Sequence, residues 1–383
     1  MSDASSDLLR LAAERAIRYR EDIGERRVAP LPVAVEQLST LGGPLPETPQ
    51  PPADILALLD EIGSPATVAT AGGRYFGFVT GSSLPVTVAA NWLAAAWDQN
   101  AALYVMSPAA AEVERIALGW LLDILGLPAE AGGAFVTGAT MANFTALAAA
   151  RHAVLKRVGW DVEGDGLFGA PPITVVVGAE AHTTLHKALA LLGMGRNRVI
   201  TVPVDGQGRM RSDALPAISG PAIVCIQAGN VNTGAFDPAG EIVTWAHDSG
   251  AWVHVDGAFG LWATAAPARA SQMAGFDGAD SWATDAHKWL NVPYDSGLAF
   301  VRDADMLRQS MTATAAYLLT SAQRDSMHST PESSRRARGV EIWAVLRALG
   351  RAGVADLVER CCRHATRFSE GLRAAGYDVL NEV

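Results

Sequence analysis

Short β-branched and aliphatic runs recur through the middle of the chain at helix-sized intervals: "ITVVVG" (173–178), "RVITVPV" (198–204), "AIVCIQ" (222–227), "AWVHVD" (251–256) and "GLAFVR" (297–302). Each is apolar at consecutive positions rather than alternate ones, as expected of a strand covered on both faces. Helix-like segments separate them. The alternation predicts an α/β fold with a mostly parallel sheet between two helical layers. Ahead of it, residues 7–20 carry apolar positions at helical spacing, and a proline-broken linker follows over 29–54. Two helices are predicted between 86 and 126, the second opened by Ser107 as N-cap and Pro108 at the first helical position. Helices over 339–352 and 354–375 then lead to "GYDVLNEV", which reads as the opening strand of something further.

The polar interruptions of this pattern fall where strands end, which is where open α/β sheets bind ligands. Asp256 directly follows "AWVHV", and His182 follows the "ITVVVG" strand. "FVTGATMANFTALAAARH" (135–152) is a strand end, a small-residue turn and a helix start, whose Gly138-Ala139-Thr140 offers backbone N–H groups and a hydroxyl to an anion. "DSWATDAHKWL" (280–290) sets His287 and Lys288 side by side in an apolar region. Burying a lone acid or lysine costs several kcal/mol or forces a pKa shift. Taken singly, each residue has a plain structural explanation: a snorkelling lysine, an aspartate or histidine that caps a helix, a turn of small residues. Together they specify pyridoxal phosphate, with the phosphate on the helix N-terminus, a lysine for the aldehyde, and an aspartate that keeps the pyridine nitrogen protonated.

Composition narrows the class. At 383 residues, 49% apolar and 18% charged, the chain has the make-up of a compact globular protein with a large core. The net charge of −10 argues against a nucleic-acid or anionic membrane surface. Cys225, Cys361 and Cys362 are too few and too badly spaced for a disulfide framework or a zinc site, so no metal is expected. The N-terminus has no apolar signal region, and no run is long enough to span a membrane. A soluble, cytoplasmic protein is the expectation.

The motifs "YFGFVTGSSLP", "SPAAAEVE", "TGATMAN", "AHTTLHKA", "GNVNTGAFDP", "HVDGAFG", "DAHKWLN" and "SRRARGVEIWAVLRALG" resemble the pyridoxal-phosphate-dependent amino-acid decarboxylases of the aromatic-amino-acid and glutamate type, group II. The resemblance runs from about residue 70 to the end. The 32-residue step from Asp256 to Lys288 and the 19-residue step from Asp237 to Asp256 fit that family's spacing. It implies a fold-type I enzyme with a mostly parallel seven-stranded sheet flanked by helices. The expected division is an N-terminal helical segment (1–70), a cofactor-binding large domain (71–340) and the start of a C-terminal small domain (341–383) that stops early. By resemblance Lys288 forms the Schiff base, His182 stacks on the ring, Asp256 pairs with the pyridine nitrogen and Ala258 packs on the other face. Ala139 and Thr140 hold the phosphate, Asp285 takes a cofactor-contact position where the family often has Asn, and His287, just before the lysine, is a further cofactor-binding residue. A homodimer is implied, as is loss of the α-carboxylate of an L-amino acid to give the amine.

The chain departs from the family at several points. The loop tyrosine that serves as proton donor aligns with Ser326 in "RDSMHSTPESSRR" (324–336), while Tyr317 matches a different family tyrosine; Ser326 and His328 are the candidate donors. A lost donor leaves open oxidation to an aldehyde, another fold-type I outcome such as transamination or carbon–carbon lysis, or a non-catalytic cofactor-binding protein. Asn230 and Val231 replace a Thr-Thr pair, with Asn230 as the candidate stand-in for the hydroxyl. Tyr75, Phe76, Phe78 and Trp97 suit a bulky apolar or aromatic substrate, or else pack in the core, and Arg74 is the one candidate cation for an acidic one.

Overall fold

A computed structural model describes residues 3–312 and 323–383. Its contacts divide the chain into two units, Met1–Ser82 and Ser83–Val383. The first contains helix α1 (Asp3–Glu21) and two short helices in the proline-rich stretch, Pro32–Gln37 and Pro52–Leu58. In both short helices proline stands in the first turn, where no N–H is needed, so this segment is more ordered than its proline content suggested. Arg15 pairs with Asp60 at 2.7 Å within this unit.

The second unit is built on the expected sheet. Its seven strands are β1 (Gly132–Val136), β2 (Thr174–Gly178), β3 (Ile200–Val202), β4 (Ala222–Gln227), β5 (Trp252–Asp256), β6 (Ser281–Asp285) and β7 (Gly297–Val301), in the order β1-β7-β6-β5-β4-β2-β3. All neighbours run parallel except β7, which is antiparallel to both β1 and β6. Alternate residues face two separate cores. Val175, Val177, Ile223, Cys225 and Trp252 pack to one side, and Val176, Val224, Ile226, Val253 and Val255 to the other. That two-sided burial is why the strand sequences are continuously apolar.

Helices cover both faces: α2 (Pro85–Trp97), α3 (Pro108–Ile124), α4 (Ala139–Lys156), α5 (Thr183–Leu191), α6 (Ala239–Asp248), α7 (Ala304–Met311) and α8 (Gly339–Ala374). Ser107 caps α3 by accepting the Ala110 N–H at 3.2 Å, with Pro108 behind it, as the sequence requires. Helix α4 is buried nearly all round, which explains its many alanines. The two helices expected over 339–375 form one element with a break at Gly350, whose φ of 60° only glycine adopts without strain. "GYDVLNEV" forms no strand: with no neighbouring strand among the described residues to complete its ladder, it runs as irregular chain after α8.

Candidate active site

Five parallel-running strand ends deliver the site. β1 leads into Thr137 and the start of α4, β2 into His182, β4 into Gln227 and Gly229, β5 ends on Asp256, and β6 ends on Asp285 just before His287 and Lys288. The eight residues expected to meet the cofactor, Ala139, Thr140, His182, Asp256, Ala258, Asp285, His287 and Lys288, line a single cavity of about 350 Å³. Its floor is set by close backbone approach. A Cβ on Gly297, at the start of β7, would lie 2.4 Å from Gly138 Cα, and one on Gly138 would meet His287 Cε1 at 3.1 Å.

Asp256 is buried, accepting the Ala258 N–H on Oδ1 (3.3 Å) and the Asn143 amide on Oδ2 (3.2 Å). Burial pushes its pKa up, opposed by the Asn143 hydrogen bond and the positive potential of His182 and Lys288. Asp285 is the busiest acid: Oδ1 accepts the Ala139 N–H at 2.6 Å and lies 3.4 Å from His287 Nε2, while Oδ2 is 3.3 Å from Lys288 Nζ. Burial raises it to about 6, against the pull of Lys288 and the Ala139 N–H. His287 accepts the Ser296 N–H on Nδ1 at 3.1 Å, so its neutral ring carries hydrogen on Nε2, facing Asp285. Burial, then the nearby Lys288 charge, lowers its pKa to about 4. His182 is the N-cap of α5, with Nδ1 2.7 Å from the Thr184 hydroxyl.

This donor set fits pyridoxal phosphate. A primary amine, a buried carboxylate, an imidazole and the N-terminus of an eighteen-residue helix face one cavity. One detail differs from the sequence expectation for the phosphate cradle: the Ala139 N–H is already held by Asp285. Phe259, which the sequence reading passed over, lines the same cavity with its ring centroid 5.9 Å from Lys288 Nζ. Its only signal was its place directly after Ala258.

Other expected residues fall elsewhere. Ser326 is buried, its hydroxyl donating to Glu114 at 2.7 Å, and neither it nor the half-buried His328 lines the cavity. Tyr317 lies outside the described residues. Asn230 is not among the cavity-lining residues; its side chain accepts the Asn232 and Thr233 N–H groups and donates to Glu180 at 2.9 Å, and Val231 lines the cavity. Arg74 donates to the carbonyls of Gly24 and Arg26 within the first unit, both at 2.7 Å. Tyr75, Phe76 and Phe78 belong to that unit too, where Phe78 is 93% exposed rather than core. Trp97 ends α2 half-exposed and is absent from the cavity lining.

A family model described as the pyridoxal-dependent decarboxylase conserved domain matches residues 47–381. The aromatic-L-amino-acid decarboxylase of Bacillus atrophaeus is 27% identical over 343 residues, covering 86% of this chain and 68% of its own length. The L-2,4-diaminobutyrate decarboxylase of Rhizobium meliloti is 32% identical over 351 residues, covering 87% and 68%. The chain thus spans about two thirds of these relatives. Among solved structures, Oryza sativa TDC with PLP and tryptamine superimposes with a TM-score of 0.84 at 25% identity, covering 93% of this chain and 76% of that one.

Proposed function

The chain belongs to the pyridoxal-dependent decarboxylase family, and we propose that it removes the α-carboxylate of an L-amino acid with pyridoxal phosphate, using Lys288 as the cofactor-bonding amine. The observation that carries this is the convergence of Lys288, Asp256 and His182 on one cavity at the carboxyl ends of the strands. When bound, the cofactor supplies an electron sink for the pair released as the Cα–carboxylate bond breaks. The protein's own groups then have distinct tasks. Burial disfavours the charged form of Asp256, and a protonated ring nitrogen beside it would favour that form. Asp285, with its pKa near 6, sits close enough to Lys288 Nζ to hold or return its proton. His182 brings a flat ring, fixed by the cap it makes on α5, to the cavity wall.

The substrate we favour carries an aromatic or bulky apolar side chain. Phe259 and Val231 line the cavity and no arginine does, among the described residues. The relatives' names cover aromatic, diamino and acidic amino acids, so this choice rests on the lining. One observation favours a second reading, oxidation to the aldehyde: Ser326, at the position of the family's loop donor, spends its proton on Glu114. We also propose a homodimer. Helix α2 and the following turn expose Trp92, Leu93, Trp97, Val105 and Met106, a concentration of large apolar side chains suited to a partner surface. No described helix is long and apolar enough to cross a membrane.

The test is to incubate purified protein and pyridoxal phosphate with a panel of amino acids in air and identify the products by mass spectrometry. An amine from an aromatic or apolar substrate, abolished in Lys288→Ala, supports the first reading. An aldehyde supports the second. No product from any substrate, with cofactor bound, sinks both.

A further inference from the structure

Behind the cavity wall lies a chain of buried polar groups that the reaction as described does not use. Trp252 Nε1 is 2.9 Å from Ser281 Oγ, which is 2.9 Å from His254 Nδ1. His254 Nε2 is 2.9 Å from Asn143 Oδ1, and Asn143 Nδ2 donates to Asp256 Oδ2 at 3.2 Å. His254, Asn143 and Ser281 have no exposed surface at all. The fold assembles them simply. His254 and Asp256 are two apart on β5 and share a face, Ser281 is the register partner of His254 on β6, and Asn143 lies one turn into α4 from Ala139.

With the Ser281 hydroxyl proton given to His254, the donor and acceptor inventory sets the direction of every bond. Indole N–H can only donate, so Ser281 Oγ accepts from Trp252 and has its own proton free for His254 Nδ1. An imidazole accepting on Nδ1 carries hydrogen on Nε2, which suits the Asn143 carbonyl oxygen. That holds the amide with its NH₂ toward Asp256. Burial lowers the His254 pKa to about 3, consistent with the neutral ring this pattern needs. All the donors therefore point one way, and the chain ends on the carboxylate that faces the cavity. Turning the Asn143 amide over would set its oxygen against Asp256 and favour the protonated, uncharged acid.

We propose that His254 is a positioning residue for the cofactor's ring nitrogen: acting through Asn143, it keeps an N–H donor on Asp256 and so keeps that carboxylate ionised. This rests on the cofactor reading above. Removing His254 while leaving Asp256 in place frees the amide to turn, so the ring nitrogen loses its charged partner without losing its cavity.

The experiment uses the full chain and two magnetic-resonance readouts. In cofactor-free protein labelled on histidine, His254 should show the neutral tautomer with hydrogen on Nε2 from pH 5 to pH 8. In protein loaded with pyridoxal phosphate labelled with ¹⁵N in the ring, the wild type should give a pyridinium signal. His254→Leu and Asn143→Leu should shift it toward neutral pyridine, and His254→Gln, which can still donate to Asn143, should restore it. kcat should fall on the order of 10-fold in the Leu variants, with KM little changed. A His254 carrying hydrogen on Nδ1 would overturn the proposal in cofactor-free wild type, even if the Leu variants fail to fold. A pyridinium signal that persists in folded, loaded His254→Leu overturns it equally. Failure of the wild type to take up cofactor removes the functional reading and this proposal with it, whereas normal loading with an indifferent His254 removes this proposal alone.

Discussion

Replacing Glu114 with alanine is the most demanding check on how this fold holds residues 324–335. Glu114 lies on α3 with no exposed surface, and its Oε2 binds Arg335 at 2.6 Å, receives the Ser326 hydroxyl at 2.7 Å and lies 3.6 Å from Arg324. The Arg335 side chain is 1% exposed and also donates to the Phe135 carbonyl at the end of β1. Truncating the acid strands a buried guanidinium, which costs about 3–5 kcal/mol, far more than loss of a surface ion pair. Thermal unfolding of cofactor-free protein should show a fall in Tm on the order of 10 °C. Arg335→Ala removes the other charge of the pair, so the double variant should be less destabilised than the sum of the singles by more than about 1 kcal/mol. If Glu114→Ala stays within about 1 kcal/mol of wild type, or the two effects simply add, the buried pair does not anchor residues 324–335 and the reasoning is wrong.

Gly297→Ala should weaken cofactor retention more than it harms the fold, because its Cβ would meet the Gly138 backbone at 2.4–2.7 Å. An overpacking cost of about 1–3 kcal/mol falling on the cradle corresponds to roughly 5- to 150-fold in Kd, read by fluorescence titration with pyridoxal phosphate. Asp285, held near pH 6 by burial, binds its proton more tightly folded than unfolded. Its contribution is full below the unfolded carboxyl pKa of about 4 and is lost as pH rises through 6. Cofactor-free Asp285→Asn should therefore gain stability relative to wild type between pH 4 and pH 6, seen as diverging Tm profiles; parallel profiles would refute the assignment. Gly339→Ala would place a Cβ 2.6 Å from Glu114 Cγ and should destabilise by about 1–3 kcal/mol in chemical denaturation, an effect that largely disappears in a Glu114→Ala background.

The sheet was readable because burial on both faces leaves unbroken apolar runs such as "AIVCIQ", and Asp256, His182 and Lys288 were readable because each interrupts or ends such a run. β1 was harder: "GGAFV" begins with two glycines and is short. The relay behind the cavity was half visible. His254 and Asp256 sit two apart on one strand, but Asn143 is more than a hundred residues away and nothing local marks it as their neighbour. Ser326 could not be placed from its own segment, since its position is set by an acid on α3. The terminal "GYDVLNEV" reads as a strand but has no strand beside it among the described residues, and composition cannot supply a hydrogen-bonding neighbour.

The antiparallel setting of β7 bears on Lys288 itself. Because β6 and β7 pair with Asp285 opposite Gly297, the segment between them leaves and re-enters the sheet at adjacent points. It is stitched inside as well: the Ser296 carbonyl accepts the N–H groups of Ala286 and His287, and Val292 N–H reaches the Ala286 carbonyl. Asn291 O receives the Leu84 N–H and the Thr87 hydroxyl at the start of α2. The closure entropy of this loop is thus settled when the protein folds. What remains for a ligand to fix is the lysine's own side-chain rotation, about 2 kcal/mol at most, so the Lys288 amine stands on a prepared backbone before any cofactor arrives.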